Sequence, residues 1–179
     1  MIDKAKLFAT KAHCGQKRKN ADEDYIVHPV RVAETLKQAG FHDVLICAGY
    51  LHDVAEDTAY TLDDIEKEFG FDVRQLVAAH TEDKSKAWQE RKQQTIHTVH
   101  EASFDVKSLI VADKLDNLES LQKEIQTHGN EVWKKFNAGY DWQKWYNQSI
   151  AEAMTNGLRS EQIPHYFKRY KQLVKQTFD

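Results

Sequence analysis

Residues 43–58 read "DVLICAGYLHDVAEDT". An apolar run from Val44 to Leu51 leads into His52 and three carboxylates, Asp53, Glu56 and Asp57, with nothing basic among them. Asp43 can cap a helix through "VLICAGYLHDVAED". On that helix residues four apart share a face, so His52 stacks with Glu56 and Asp53 with Asp57. The carboxylates repel one another there and sit near the helix C-terminus, where the macrodipole disfavours negative charge. Two readings remain open at this point: a solvated acidic helix end, or a site that holds a cation.

The flanking sequence is helical throughout. The first helix runs from about Asp3 to Gly15, and a polar loop "QKRKNADEDYIV" follows. Pro29 suits a helix first turn; Val30, Ala33 and Leu36 give that helix an apolar stripe, and Gly40 stops it. Thr61 with Asp64 forms a capping box for "LDDIEKEF", closed by Gly70. Asp72 can cap "VRQLVAAHT" and Ser85 "KAWQERKQQTIHTVHEA", and Asp105 can start a long helix "VKSLIVADKLDNLESLQKEIQ" ending near Gly129. Helices at about 131–137, 139–155 and 161–178 complete the chain. No segment sustains an alternation of period two, and no linker, repeat or low-complexity tract divides the sequence. The expectation is one all-α domain over residues 1–179.

Composition agrees. The 179 residues are 41% hydrophobic and 30% charged with seven Gly and two Pro, too apolar for disorder and too poor in turn residues for a β-sandwich. A net charge of −3 gives no general attraction to nucleic acid or acidic membranes. No stretch has the length of a membrane span and the start lacks a signal-peptide pattern. Cys14 and Cys47 are too few for a disulfide framework, read as small buried residues, and fit a reducing cytoplasm.

Two residues outside the acidic helix bear on its charge. His28 precedes Pro29 in "YIVHPV"; proline biases its predecessor to an extended conformation, so His28 is expected to project from a rigid elbow. Asp113 in "LIVADKLDNL" follows the apolar run 109–112 and so lies beside buried positions. A histidine hydrogen-bonded to backbone and a carboxylate in an ordinary salt bridge are the alternatives for these two.

The set His28, His52–Asp53 and Asp113 resembles the "H…HD…D" signature of the HD superfamily of metal-dependent phosphohydrolases. The words "AHCGQKRK", "YIVHPVRVAETL", "AGYLHDVAEDTAYTLDDIEKEFG" and "VADKLDNLESL" further resemble the hydrolase domain of the RelA/SpoT homologues, in the size range of the stand-alone small alarmone hydrolases of metazoan SpoT-homologue type. These motifs span roughly residues 12–121, with the C-terminal helices completing core and pocket of an HD-domain helical bundle. The resemblance implies one divalent metal on His28, His52, Asp53 and Asp113. A mixed nitrogen and oxygen set suits Mn²⁺, Fe²⁺, Co²⁺ or Zn²⁺ better than Mg²⁺, and the family points to Mn²⁺. It makes Glu56 and Asp57 the catalytic residues that orient and deprotonate water, with Glu56 as a hydrogen-bond partner of His52 the alternative.

For the substrate, the resemblance implies that Arg18 meets the purine, Lys19 a phosphate and Asn117 the sugar, with Ser120 and Tyr146 as further contacts. Lys114 is expected to pair with Asp116 or solvent, and Tyr140, Trp142 and Trp145 to be core. His97 and His100 read as polar-helix residues, and His13 as a structural hydrogen-bonding group. The implied reaction is hydrolysis of the 3′-diphosphate of guanosine tetra- or pentaphosphate, releasing pyrophosphate; there is no room for the synthetase domain of long relatives. The segment "AAHTEDKSKAWQERK" differs from the long enzymes, which bears on substrate choice more than on reaction type. The alternatives are an HD phosphatase for another nucleotide, such as the 2′-phosphate of NADPH or a nucleoside monophosphate, and a non-catalytic nucleotide-binding regulator. The implied partner is a small nucleotide, with no nucleic acid or membrane; assembly state is open, a homo-oligomer included.

Overall fold

The computed structural model describes residues 1–19, 22–136 and 138–179. Its hub is the most apolar segment of the sequence. Helix α3 (Asp43–Leu51) buries every residue from Leu45 to Leu51, as a helix apolar on all sides must. Packed against it are α1 (Ile2–Ala12), α2 (Val27–Gln38), α6 (Phe71–His80) and α8 (Phe104–His128). A four-residue helix, α4 (Val54–Asp57), follows α3, and α5 (Leu62–Phe69) packs on α6. Helix α7 (Trp88–Glu101) pairs with α9 (Tyr140–Ala153), and α10 (His165–Phe178) lies against α8 and α9. Short 3₁₀ segments occupy Gly129–Lys135 and Ser160–Gln162. Among the described residues there is no strand, only an isolated bridge between Lys17 and Asp24. The all-α expectation holds.

Helix α8 carries the longest apolar stripe. Leu109, Ile110, Val111, Ala112, Leu115, Leu118 and Leu121 are buried along it, so the polar residues interleaved among them, Asp113, Asp116 and Asn117, are held at fixed depth. The α2–α3 contact is equally tight. A Cβ on Gly49 would lie 2.9 Å from Leu36 Cδ1 and 3.0 Å from Ala33 Cα. Leu36 can turn away, but the Ala33 backbone cannot without moving α2. Gly49→Ala is therefore expected to destabilise the fold by about 1–2 kcal/mol, overpacking outweighing the helix-propensity gain. A lower urea midpoint at unchanged m-value is the expected reading; an unchanged midpoint would show that the two helices yield.

Several expected boundaries move. The helix expected to run on through residues 44–57 breaks at His52–Asp53, because the His52 Nδ1 takes up the Gly49 carbonyl at 2.8 Å. His28 is not on an extended elbow. It is the second residue of α2, held by the tight-turn hydrogen bonds Val27 N to Asp24 O and His28 N to Tyr25 O, 3.1 and 3.0 Å, which outweigh the steric bias of Pro29. Asp43 and Asp72 lie within first turns rather than at caps, and Asp105, expected to start its helix, is the second residue of α8. His42 and Ser103 accept the capping hydrogen bonds of α3 and α8, and α6 starts directly after Gly70, whose φ of 89° only glycine takes up readily. Ser85 bonds Asp83 in a turn, and α7 begins three residues later. The Thr61–Asp64 capping box forms as expected. The segment near 131–137 is 3₁₀ rather than α, with Asn137 outside the described residues, as Asn20 and Ala21 of the polar loop are. The last helix begins at His165, not near 161. Cys47 is buried but Cys14, just past the end of α1, is exposed.

Candidate metal centre and active site

Three helices deliver four candidate ligands to one point: His28 from the first turn of α2, His52 and Asp53 from the break after α3, and Asp113 from α8. His28 Nε2 lies 3.2 Å from His52 Nε2, 3.2 Å from Asp113 Oδ1 and 3.6 Å from Asp53 Oδ2. His52 Nε2 lies 3.0 Å from Asp53 Oδ2 and 3.8 Å from Asp113 Oδ1. Neighbouring ligands on a six-coordinate ion with bonds near 2.1 Å are about 3 Å apart, so the spacing suits one ion.

The outer ring nitrogens explain why these atoms need a cation. His28 Nδ1 donates to Asp116 Oδ2 at 2.6 Å and His52 Nδ1 to Gly49 O at 2.8 Å. Carboxylates and carbonyls only accept, so each neutral ring carries its proton on Nδ1 and presents a bare Nε2. Two lone pairs then face each other beside two carboxylates, in a site where His28, His52 and Asp113 are at most 3% exposed. A proton is a partial remedy. Burial pulls the His52 imidazole down, but Asp53 and Asp113 outweigh it and push it up to about 9. Asp53, which burial alone would raise, is held well below the carboxylate range by His52. A divalent ion meets the whole donor set, and a histidine whose outer nitrogen is tied to an oxygen is the usual form of a metal-ligating histidine.

Around this cluster lie residues to which sequence reasoning gave no role at the ion site. Tyr25 O–H donates to Asp53 Oδ2 at 2.5 Å. Arg31 Nε donates to Asp116 Oδ1 at 2.6 Å, while its other nitrogens reach Glu23. Asp116 shares the α8 face of Asp113, three residues away, a spacing visible in the sequence; its role is to fix His28. Lys114 pairs with Asp113 Oδ2 at 2.7 Å instead of with Asp116 or solvent, because Asp116 is already turned toward His28 and Arg31. His80, the last residue of α6, donates from Nε2 to the same Asp113 oxygen at 2.9 Å.

Glu56 and Asp57 stand one turn beyond the ligand pair. Glu56 Oε2 accepts from Glu82 N at 3.0 Å, and burial pushes the Glu56 carboxyl above its ordinary range. Ligand atoms of Asp53, Glu56 and His80 lie within 4.8 Å of one another. Glu56 does not bond His52, whose outer nitrogen is taken by Gly49. Asp57 forms an ion pair with Lys84, whose Nζ also donates to Glu56 O at 3.1 Å. Part of the positive charge missing from residues 51–58 is thus supplied by the α6–α7 loop.

Arg18 Nη2 donates to Asn117 Oδ1 at 3.2 Å and Ser120 Oγ at 3.4 Å, and Asn117 Nδ2 donates to Asp113 Oδ1 at 2.7 Å. Arg18, Lys19, Asn117, Ser120 and Tyr146 line a cavity of about 730 Å³, and His28, Asp53, Glu56 and Asp113 line a smaller one of about 250 Å³. Tyr25, Lys92, Lys114 and Asn117 line both, so the two adjoin. The Tyr146 ring lies 5.2 Å from Lys92 Nζ and 5.9 Å from Lys114 Nζ, and burial pushes its phenol up to about 12. The remaining aromatics of that segment are not core: Trp142 is 44% exposed, and Tyr140 reaches out to bond Phe178 O at the chain end. Only Trp145 packs, half-buried, on the core. His13 bonds Gln16 at 2.8 Å, while His97 and His100 are exposed on α7.

A bundle of helices that gathers two histidines and two aspartates in this order defines the class. The HD-domain family model matches residues 5–140, and the chain belongs to the HD-domain family. It is similar to the guanosine-3′,5′-bis(diphosphate) 3′-pyrophosphohydrolase MESH1 of Homo sapiens, 35% identical over 166 residues that cover 90% of each chain. The Drosophila melanogaster protein of the same name is 41% identical over 67% of this chain and 69% of its own. Among solved structures, lmo0812 from Listeria monocytogenes EGD-e superposes with a TM-score of 0.82 and 48% identity over 84% of this chain and 98% of its own. A metazoan orthologue of SpoT that hydrolyses ppGpp superposes with a TM-score of 0.78 and 26% identity, over 98% and 94%.

Proposed function

We propose that this protein hydrolyses the 3′-diphosphate of guanosine tetra- and pentaphosphate, releasing pyrophosphate and the 5′-di- or triphosphate. The observation that carries the reading is the pair of facing Nε2 atoms, 3.2 Å apart, each with its outer nitrogen tied off. The names of the similar proteins supply the substrate class. His28, His52, Asp53 and Asp113 are the residues that hold a divalent ion, and Mn²⁺ suits two nitrogens and two oxygens. Bound there, the ion supplies Lewis acidity, lowering the pKa of water and offsetting phosphoryl charge.

The side chains do the rest. Glu56, half-desolvated and beside the ligand cluster, takes the proton of the attacking water, while Asp57 is positioned by Lys84 and helps orient it. Water oxygen adds to the phosphorus next to the ribose, the bond to O3′ breaks, and O3′ takes up a proton from solvent to leave as the free hydroxyl, while Glu56 returns its proton to solvent. Arg18 and Lys19 meet the purine and a phosphate; Asn117, bonded to both Arg18 and Asp113, holds the sugar in register with the ion site. Ser120 and Tyr146 close the pocket. The whole of residues 1–179 acts as one domain, since α9 and α10 carry Tyr146 and the helix packed behind it. No helix of the described residues is long and apolar enough to cross a membrane, and we place the protein in the cytoplasm with a small nucleotide as its partner.

The test is a release assay with separate detection of pyrophosphate and orthophosphate. It covers guanosine tetraphosphate, NADPH and nucleoside monophosphates, each with Mn²⁺, Fe²⁺, Co²⁺, Zn²⁺ or Mg²⁺. Pyrophosphate from the tetraphosphate, greatest with Mn²⁺, is the expected result. Orthophosphate from NADPH alone would replace the substrate; inertness with every metal would sink the reading.

A further inference from the structure

His80 is a buried titratable side chain that the proposed reaction does not use. It ends α6, its side chain is 6% exposed, and its one side-chain hydrogen bond among the described residues is from Nε2 to Asp113 Oδ2 at 2.9 Å. Its Nδ1 is buried without a hydrogen-bond partner. The acceptor is a carboxylate, so the neutral ring carries its proton on Nε2. That sets His80 apart from His28 and His52, whose protons are on Nδ1 and whose Nε2 atoms are free to bind an ion.

The two oxygens of Asp113 have separate surroundings. Oδ1 faces His28 Nε2 at 3.2 Å and receives Asn117 Nδ2 at 2.7 Å. Oδ2 receives His80 and, at 2.7 Å, the ammonium of Lys114. Lys114 reaches this oxygen along a flexible four-carbon stem, whereas His80 presents a rigid, buried ring. The ring also meets His52 edge to face, with centroids 4.7 Å apart at 77°. His80 thus touches two of the four candidate ligands: by a hydrogen bond on one, by its ring surface on the other.

We propose that His80 is a positioning residue of the ion site, which fixes the Asp113 carboxylate so that Oδ1 faces the two histidines and buttresses the His52 ring. The alternative for the same atoms is a second ion among Asp53, Glu56, His80 and Asp113. The cationic Lys114 already on Asp113 Oδ2, and the hydrogen bond that His80 Nε2 donates to the same oxygen, count against such an ion. The inference rests on the metal reading of the four-ligand cluster, and its test separates the two.

The measurement is Mn²⁺ affinity and stoichiometry in the whole metal-stripped protein, by competition with a fluorescent chelator, without substrate. Removing an outer-sphere partner of a metal ligand typically lowers affinity about ten- to a hundredfold. His80→Leu, which fills the space without donating, is expected to lose affinity by that factor. His80→Gln, whose amide nitrogen reaches the former Nε2 position, is expected to stay within about threefold of wild type. Melts of the metal-free variants show whether each folds. If the leucine variant does not fold, His80→Asn is its replacement: its donor falls at the Nδ1 position, short of Asp113, and it is expected to lose affinity as the leucine variant would. One equivalent of Mn²⁺ with loss in the non-donating variant and recovery in glutamine supports the assignment. Equal affinity in the folded non-donating variant and wild type overturns it while leaving the metal site standing. Two equivalents in wild type falling to one in both variants overturn it in favour of a second ion. No binding by wild type overturns both readings.

Discussion

Asp53→Ala is expected to abolish pyrophosphate release, by a factor on the order of a thousand or more, which corresponds to about 4 kcal/mol of barrier. Asp53 is placed to act on both sides of the chemistry. Its Oδ2 is the nearest of the other candidate ligand atoms to His52 Nε2, at 3.0 Å, and it accepts the Tyr25 hydroxyl. Loss of the carboxylate leaves two imidazoles and Asp113, so on the proposed ligand set a divalent ion would lose a quarter of its protein ligands and half of its anionic ones. Asp53→Asn, which keeps shape but not charge, should be nearly as damaged, whereas Asp63→Ala, an exposed carboxylate on α5, should run at the wild-type rate. Metal content measured on the same samples distinguishes loss of the ion from loss of geometry. A rate for Asp53→Ala within tenfold of wild type would remove Asp53 from the site.

The second large effect is on stability. An ion at a hundred times its dissociation constant adds about 2.7 kcal/mol, roughly 5–11 °C in melting temperature for a domain of this size. Chelation should therefore lower the melt, and by an amount that depends on pH. In the metal-free protein His52 is pushed up to about 9 from an ordinary value near 6.5. A raised imidazole contributes stability that is fully present below pH 6.5 and is lost as pH rises through 9. That contribution is on the order of 3 kcal/mol. The metal-loaded protein holds His52 neutral throughout and does not pass through this loss. The gap between loaded and stripped melts should widen between pH 6.5 and 9, by roughly 6–12 °C. Calorimetry in buffers of different ionisation enthalpy supplies the complement: near pH 7, ion binding should expel about one proton. A gap independent of pH would mean that no proton stands in for the ion.

What could be read from the sequence depended on whether the signal was local. The apolar run 44–51 required a surrounded helix, and it became the hub. The Thr61–Asp64 box and Gly70 marked their helix correctly because a four-residue motif and one positive φ suffice. The break at His52 was not legible, since it depends on a side chain taking the carbonyl of Gly49, and periodicity carries no sign of that. The His28 elbow failed for a similar reason: steric bias before proline is real, but two turn hydrogen bonds from 24 and 25 prevail.

The site divides in the same way. His28, His52–Asp53 and Asp113 stood out because the chain repeats a known pattern at those positions. Helical spacing placed Glu56 and Asp57 one turn beyond the pair, and the role expected of them came from the family resemblance. The partners that give them their chemistry did not follow, because each contact joins residues far apart in sequence: Tyr25 with Asp53, His80 with Asp113, Lys84 with Asp57, Asp116 with His28. The acidic stretch had seemed to lack any cation of its own, and a loop lysine from 27 residues on was pairing with it.

The convergence of α2, α3 and α8 on one point has a kinetic meaning. His28 and its acceptor Asp116 are 88 residues apart, so the cluster exists only once that long loop has closed. An ion that binds only the finished cluster stabilises the native protein more than the folding transition state. It acts as a brake on unfolding and leaves the rate of folding almost untouched.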